Sequence, residues 1–265
     1  MDAAGGVALC QPVADLPAHL VPGDPHLGLH QTAGQIVDQP KDRQLHRKAA
    51  KDARRARYAR ILIVSEGSKT EPQYLEEIRA AYQLHSANVA VQPSQLGTAP
   101  LQVVGYARQL FEAGDLHKGI RPRSFDEIYA VFDRDDHDSY FNALGVAKSL
   151  DGRLRNDEKQ PVRFMAIASI PSFELWLLLH YEDIQAPRHR DEVMQRLKQK
   201  IPGYEKGSGG VFAAIRDRQE VAIQRAQALA SKFSAHTDPE PFTAMHELVV
   251  RLTILRNEAG VSSCY

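Results

Sequence analysis

Two short apolar runs, ILIV at 61–64 and EIYAVF at 127–132, each lead into a carboxylate: Glu66 follows the first and Asp133 the second. Runs this short, rich in β-branched and aromatic residues, suit strands buried on both faces. Such strands belong to parallel sheets covered by helices. The intervening sequence agrees. Lys69 to about Leu84 places Tyr74, Leu75, Ile78 and Tyr82 at helical spacing, and Asn88 to Val91 can form a second strand. Gly97-Thr98-Ala99-Pro100 opens a helix to about Phe111, Asp138 is placed to cap a helix through Leu150, and Val162 to Ala168 is a fourth strand. Strands alternating with helices predict an α/β fold with a parallel sheet and right-handed crossovers over 61–170. From Pro171 to about Leu255 the pattern is almost wholly helical, broken by KGSGG at 206–210, and 171–265 is expected to pack on the core as a helical C-terminal part. Its last helix carries Met245, Leu248, Val249 and Leu252 as a core stripe.

The N-terminal quarter differs. Residues 1–45 scatter Pro, Gly and Ala without a period and are expected to be disordered or an extension outside the fold. The basic stretch that follows, with Arg54, Arg55 and Arg57 in its 46–60 portion, is either a solvated linker or an arm that contacts nucleic acid by releasing phosphate counterions. Over the whole chain Lys and Arg balance Asp and Glu at 33 each, so bulk charge predicts no polyanion partner. No apolar run approaches the ~20 residues of a membrane span, and no secretory signal pattern opens the chain. Cys10 and Cys264, the only cysteines, sit near the two ends, which argues against a disulfide framework or a thiolate metal site. A cytoplasmic protein is expected.

The chemistry concentrates in acids at strand ends, where parallel α/β sheets place their ligand sites. Phe132 is followed by Asp133-Arg134-Asp135-Asp136-His137. On extended backbone, residues two apart point the same way. Asp133 and Asp135 would then repel unless a cation lies between them, and Mg²⁺, or Mn²⁺ in its place, suits such oxygen ligands. Sheet topology can bring Glu66 to the same place. Two other readings of DRDDH stand beside this one. One is an acidic loop that caps the next helix. The other is a receiver-type phosphoacceptor site, although no Lys follows the fourth strand where that site needs one. His137 is either a ligand or proton shuttle, or a surface histidine. Lys69 and Thr70 either begin an ordinary helix or hold a phosphate at its terminus; the segment is too short for a Walker A loop. Glu174 lies in an apolar helical context and faces either solvent or the metal cluster. His180 is expected in the core or in support of the site. Lys206 is either a surface lysine or a charge that neutralises a phosphoryl group. Thr243 and His246 either cap and pack the last helix or touch phosphate.

Several of these segments together resemble the RloB-like proteins of prokaryotic defence and restriction loci. They are ILIVSEGSKTEPQYL at 61–75, VFDRDDH at 131–137, SIPSFELWLLLHY at 169–181 and YEK at 204–206. The resemblance runs from about Arg57 to Leu255. One departure is Ile170-Pro171-Ser172, where the family often has Asn-Pro before its Phe-Glu-x-Trp segment. The resemblance implies a TOPRIM-like core. In that superfamily a Glu after the first strand is a general acid/base or metal ligand, and a DxD after a later strand binds Mg²⁺. On this chain these are Glu66, Asp133 and Asp135. It also implies an abortive-infection context, often beside an ATPase partner.

The leading expectation is a Mg²⁺-dependent nuclease for DNA or RNA. Asp133 and Asp135 would hold the ion, with Glu174 as a further ligand. Glu66 would bind metal or move a proton, Lys206 would neutralise charge, and Lys69 and the basic arm would attract the polyanion. The alternative is a non-catalytic effector or regulatory subunit that binds a metal-nucleotide or docks on an ATPase. Nucleotidyl transfer, as in primases, is a third class.

Overall fold

A computed structural model of the chain describes residues 58–135 and 137–261. Residues 1–45, nearly all of the basic arm including Arg54, Arg55 and Arg57, and Asp136 lie outside the described residues. Strands β1 (Ile61–Ser65), β2 (Val89–Pro93), β3 (Glu127–Asp133) and β4 (Arg163–Ile170) pair in parallel in the order β2-β1-β3-β4. Every residue of β1 is buried, as its unbroken apolar run requires. The strand order reverses direction between β1 and β3, which makes their carboxyl ends the switch point of the sheet.

Helices α1 (Thr70–Ala81), α2 (Pro100–Ala113) and α3 (Tyr140–Leu150) connect these strands. α2 packs on β1 and β3, and α3 packs on α2 and β4. Helix α1 ends earlier than the apolar spacing predicts, because Gln83 turns at a φ of 55°. The cap expected from Asp138 is not made. α3 begins at Tyr140 after Ser139, which is itself helical and gives no side-chain cap. Backbone carbonyls serve instead: His137 accepts from the Tyr140 amide at 3.1 Å and Ser139 from the Ala143 amide at 2.8 Å.

The C-terminal part contributes α4 (Glu174–Leu179), α5 (Arg190–Lys200), α6 (Val211–Ile215), α7 (Gln219–Ala230) and α8 (Met245–Val261). Every residue of α4 is buried, and the Trp176 indole donates to the Tyr74 hydroxyl of α1 at 2.8 Å. The expected stripe Met245, Leu248, Val249 and Leu252 is fully buried. This part is not purely helical, however. Phe242–Thr243 forms β5, antiparallel to β4, with Thr243 opposite Ser169. A strand of two residues is too short to show a period of two, so no sequence pattern announces it. Among the described residues no helix is long and apolar enough to cross a membrane.

The opposite end of the sheet is closed by one arginine. Arg60, just before β1, donates through Nη2 to Asp126 Oδ1 at 2.8 Å and through Nη1 to Asp157 Oδ2 at 2.8 Å. Asp126 immediately precedes β3, and Asn156 adds a bond to it at 2.7 Å. These bonds outweigh the burial that opposes them and hold the Asp126 carboxyl below its ordinary range. Arg60→Ala would leave a half-buried carboxylate without its partner, and it is expected to cost about 2–3 kcal/mol in urea unfolding at pH 7. Because the Asp126 pKa is depressed on folding, this difference is present above about pH 4 and shrinks as pH falls below it. A gap that persists unchanged to pH 2 would show that the pairing contributes little.

Candidate metal centre

The site begins with register. Ser65 pairs with Val131, and the Glu66 amide continues the ladder by donating to the Val131 carbonyl at 2.9 Å. β3 outruns β1 by two residues, so Glu66 leaves the sheet beside Phe132 and Asp133. The Glu66 Oε2 then accepts from the Asp133 amide at 3.0 Å. Thus the carboxylate expected from the first strand and the aspartates expected from the third are brought together, as switch-point topology permits.

Asp135 arrives by a different route from the one its spacing predicts. The strand ends at Asp133, and Asp135 sits in a turn at a φ of 31°, so the two aspartates do not share an extended face. Arg134 supports this turn: its Nη1 donates to the carbonyls of Asp135 at 2.6 Å and His137 at 3.3 Å. The turn delivers Asp135 and His137 to Glu66. One ligand atom from each of the three lies within 4.8 Å of the others, a spacing that can hold a metal ion. Asp133 is outside this trio. In this state Asp135 also accepts from Arg190 at 2.7 Å.

A second set of acids lies deeper. Asp133 and Glu174 are buried, the latter 2% exposed, which places Glu174 inward rather than toward solvent. Glu174 Oε2 accepts from the Ser172 hydroxyl at 2.6 Å, and Oε1 pairs with the Lys206 ammonium at 3.1 Å. Glu71 joins them from the first turn of α1. Sequence reasoning missed it, because an acid there looks like an ordinary partner of a helix N-terminus. In the fold Gly67 lies against the Glu71 carboxylate, where an added Cβ would displace the end of that side chain. Tyr204 is also close. Its hydroxyl is buried without a hydrogen-bond partner and lies in the field of Glu174, Glu71 and Asp133.

Protonation follows from this crowding. Burial, then the charges of Glu71, Glu174 and Glu66, push Asp133 well above the ordinary carboxylate range. Burial also raises Glu71. Glu66 is pushed from 4.5 up to about 7, chiefly by burial and against the pull of the Asp133 amide. Burial opposes the Lys206 charge, but Glu174 overrides it and holds the ammonium above its usual value. These are the directions expected where like charges share a poorly hydrated site.

The Gly-rich loop after Lys206 is docked, not free. Lys69, Gln73 and Glu77 form one stripe at four-residue spacing along the start of α1. Gly207, at a φ of 80°, lies so close to Lys69 that an added Cβ would meet the lysine Cβ at 2.8 Å. Gln73, its amide turned to suit its neighbours, donates to the Gly207 carbonyl at 2.8 Å and accepts from the Gly209 amide at 3.1 Å. Glu77 accepts from the amides of Gly210 at 2.6 Å and Phe212 at 2.8 Å. The glycines serve close approach and a positive φ.

Of the remaining candidates, His180, Thr243 and His246 are bonded within the packed structure. Lys69 is exposed, with its stem against Gly207. His180 is buried in the core, where its Nδ1 meets the Trp176 carbonyl at 3.0 Å and burial lowers its pKa to about 4. The Thr243 hydroxyl pairs with Ser169 at 3.0 Å and accepts from the Met245 amide, while His246 Nδ1 meets the Thr243 carbonyl at 3.0 Å. Both therefore pack and cap the start of α8. Comparison with curated proteins and with solved structures gives no match. One family profile, described as RloB-like protein, matches residues 61–252, from the first residue of β1 into α8.

Glu66 has its pKa raised on folding, so its stabilising contribution is complete below about 4.3 and is lost as pH rises through about 7. Glu66→Gln removes that loss. In EDTA, the stability of Glu66→Gln relative to wild type is expected to grow between pH 5 and pH 8 by about 1–3 kcal/mol. Thermal unfolding at the two pH values measures it, and a pH-independent difference would mean that Glu66 titrates as an ordinary carboxylate.

Proposed function

The chain belongs to the RloB-like family, and from that premise we propose that it is a divalent-cation-dependent nuclease that hydrolyses phosphodiesters of DNA or RNA in antiviral defence. The observation that carries this reading is the convergence of Glu66, Asp135 and His137 within 4.8 Å at the switch point. An acid after β1 and a DxD that begins at the last residue of the central strand β3 also support the TOPRIM-related assignment.

The donor chemistry fits a cation. Two carboxylates suit Mg²⁺, and the added imidazole is well accommodated by Mn²⁺. Glu66, Asp135 and His137 would hold the ion, with Asp133 behind them. Bound there, the ion supplies polarisation of the phosphate and a lowered pKa for water. The chain's own groups divide the remaining work. The Asp133 amide holds Glu66 Oε2, which leaves Oε1 to bind the ion or to take a proton. Lys206, held at the edge of the cluster by Glu174, meets negative charge on the phosphoryl oxygens. Lys69, with Arg54, Arg55 and Arg57 of the basic arm, attracts the polyanion. Action in the cytoplasm beside a partner ATPase completes the reading.

A second reading is a regulatory subunit that binds a metal-nucleotide or docks on the ATPase without cutting. It is favoured by one observation: Asp135 and Glu174 are each already paired with a cation of the chain, Arg190 and Lys206.

Purified full-length protein with Mg²⁺ or Mn²⁺ is expected to cleave at least one member of a panel of single- and double-stranded DNA and RNA. Glu66→Gln and Asp135→Asn are each expected to lower the rate by about 100-fold or more. Cleavage that survives both substitutions overturns the assignment. Metal-dependent nucleotide binding without cleavage selects the regulatory reading.

A further inference from the structure

The end of the sheet opposite the acids carries a charged feature of the other sign. A pocket of about 200 Å³ lies where α2 and α3 finish and β3 and β4 begin, lined by Phe111, Glu112, Arg123, Arg153, Leu154 and Arg155. Phe111 and Leu154 give it apolar walls, and its three arginines are exposed. β3 runs the seven residues Glu127–Asp133 between this end and the candidate metal centre, a separation of about 20 Å at ~3.3 Å per residue.

Among the described residues none of the three guanidinium groups makes an ion pair, because the acids around them are engaged elsewhere. Glu112, in the lining itself, pairs with Arg108 at 3.2 Å. Asp126 and Asp157 pair with Arg60, and Asp151 accepts from the Phe164 amide at 2.9 Å. Three like charges around one small cavity repel one another and concentrate positive potential in it. The walls are nonetheless held from the backbone. The Arg123 amide donates to the Phe111 carbonyl at 2.6 Å, and its own carbonyl accepts from the Asp157 amide at 2.8 Å. Between these bonds Arg123 stands at a φ of 55°, which is uncommon for a residue with a long side chain. A glycine would take this turn without steric cost, so the turn does not call for the guanidinium. On the other wall the Leu154 carbonyl accepts from the Val162 amide at 3.0 Å, and Arg155 bridges to Pro161. The loop that carries Arg153 and Arg155 is thereby folded back on itself.

Guanidinium groups match phosphate oxygens in both geometry and charge. A phosphoryl group also brings more negative charge than a carboxylate to share among three arginines. The cavity is smaller than those that enclose a whole drug-sized ligand, so one or two phosphoryl groups enter and the rest of the ligand stays outside. We propose that Arg123, Arg153 and Arg155 form a phosphoryl-anion site at the amino ends of β3 and β4, separate from the acidic centre and independent of the metal reading. The same chemistry accepts a phosphoryl group of a free polyphosphate or of a nucleic-acid backbone.

Isothermal titration calorimetry on the full chain in EDTA, with pyrophosphate and separately with a single-stranded oligothymidylate, tests the site and tells the two sources apart. Arg123→Gly keeps the turn and removes its guanidinium, and Arg153→Gln removes a second one. Each is expected to weaken at least one probe by about 10-fold or more. Arg216→Gln, at an arginine 63% exposed outside the pocket, is expected to change neither by more than about 2-fold. A loss confined to pyrophosphate supports the site and identifies a free polyphosphate as its ligand; a loss with the oligonucleotide supports it with a backbone phosphate. No saturable binding of either probe to wild type overturns the proposal, as do affinities that Arg123→Gly and Arg153→Gln leave where Arg216→Gln leaves them. A fall in thermal stability without a fall in affinity also overturns it, since the arginines would then serve only the ends of α2 and α3.

Discussion

Like charge held out of water is the constraint around which this protein is arranged. The carboxylates of Glu66, Glu71, Asp133, Asp135 and Glu174 converge where β1 and β3 end, and burial raises Glu66, Glu71 and Asp133 above their ordinary range. Such a cluster opposes folding unless protons, cations of the chain or bound ions offset it. All three remedies have a place here: Glu66 titrates near neutrality, Lys206 and Arg190 each pair with an acid, and the outer trio has the spacing of a metal site.

The rest of the fold makes that arrangement sustainable. At the opposite end of the strands, Arg60 ties the starts of β1 and β3 to the loop before β4 with a network of opposite charges. Near the acids, the buried Trp176–Tyr74 hydrogen bond locks α4 to α1, which fixes Glu174 relative to Glu71. Arg134 shapes the turn that carries Asp135 and His137, and the stripe on α1 holds the loop that carries Lys206. The electrostatic cost at one end is carried by packing and pairing elsewhere, a common division between site and scaffold.

Much of this was legible in order of residues. ILIV and EIYAVF are strands because β-branched runs fit a doubly covered sheet, and their acids stand at the carboxyl ends because the runs stop there. The alternation with helices was enough for a parallel α/β sheet. Less was legible where geometry depends on a turn or on distant pairing. Asp133-x-Asp135 suggested two carboxylates side by side on extended backbone, but the chain turns at Asp135, and His137 joins Glu66 and Asp135 within ligand distance instead. The glycines after Lys206 read only as a break in the helical pattern, yet they permit close docking on α1. The antiparallel edge strand β5 had no pattern long enough to reveal it.

By itself, the sequence determined which acids sit at strand ends, because a buried strand and its terminus are written in local hydrophobicity. It also determined the family, through short segments that keep their order. Only the tertiary structure decided which carboxylates share a site. Glu71, Glu174, Tyr204 and Lys206 come from separate helices and loops, and nothing in their spacing encodes their meeting. Their convergence follows from strand register at the switch point and from helix packing over it, since side chains distant along the chain become neighbours only when the core is buried.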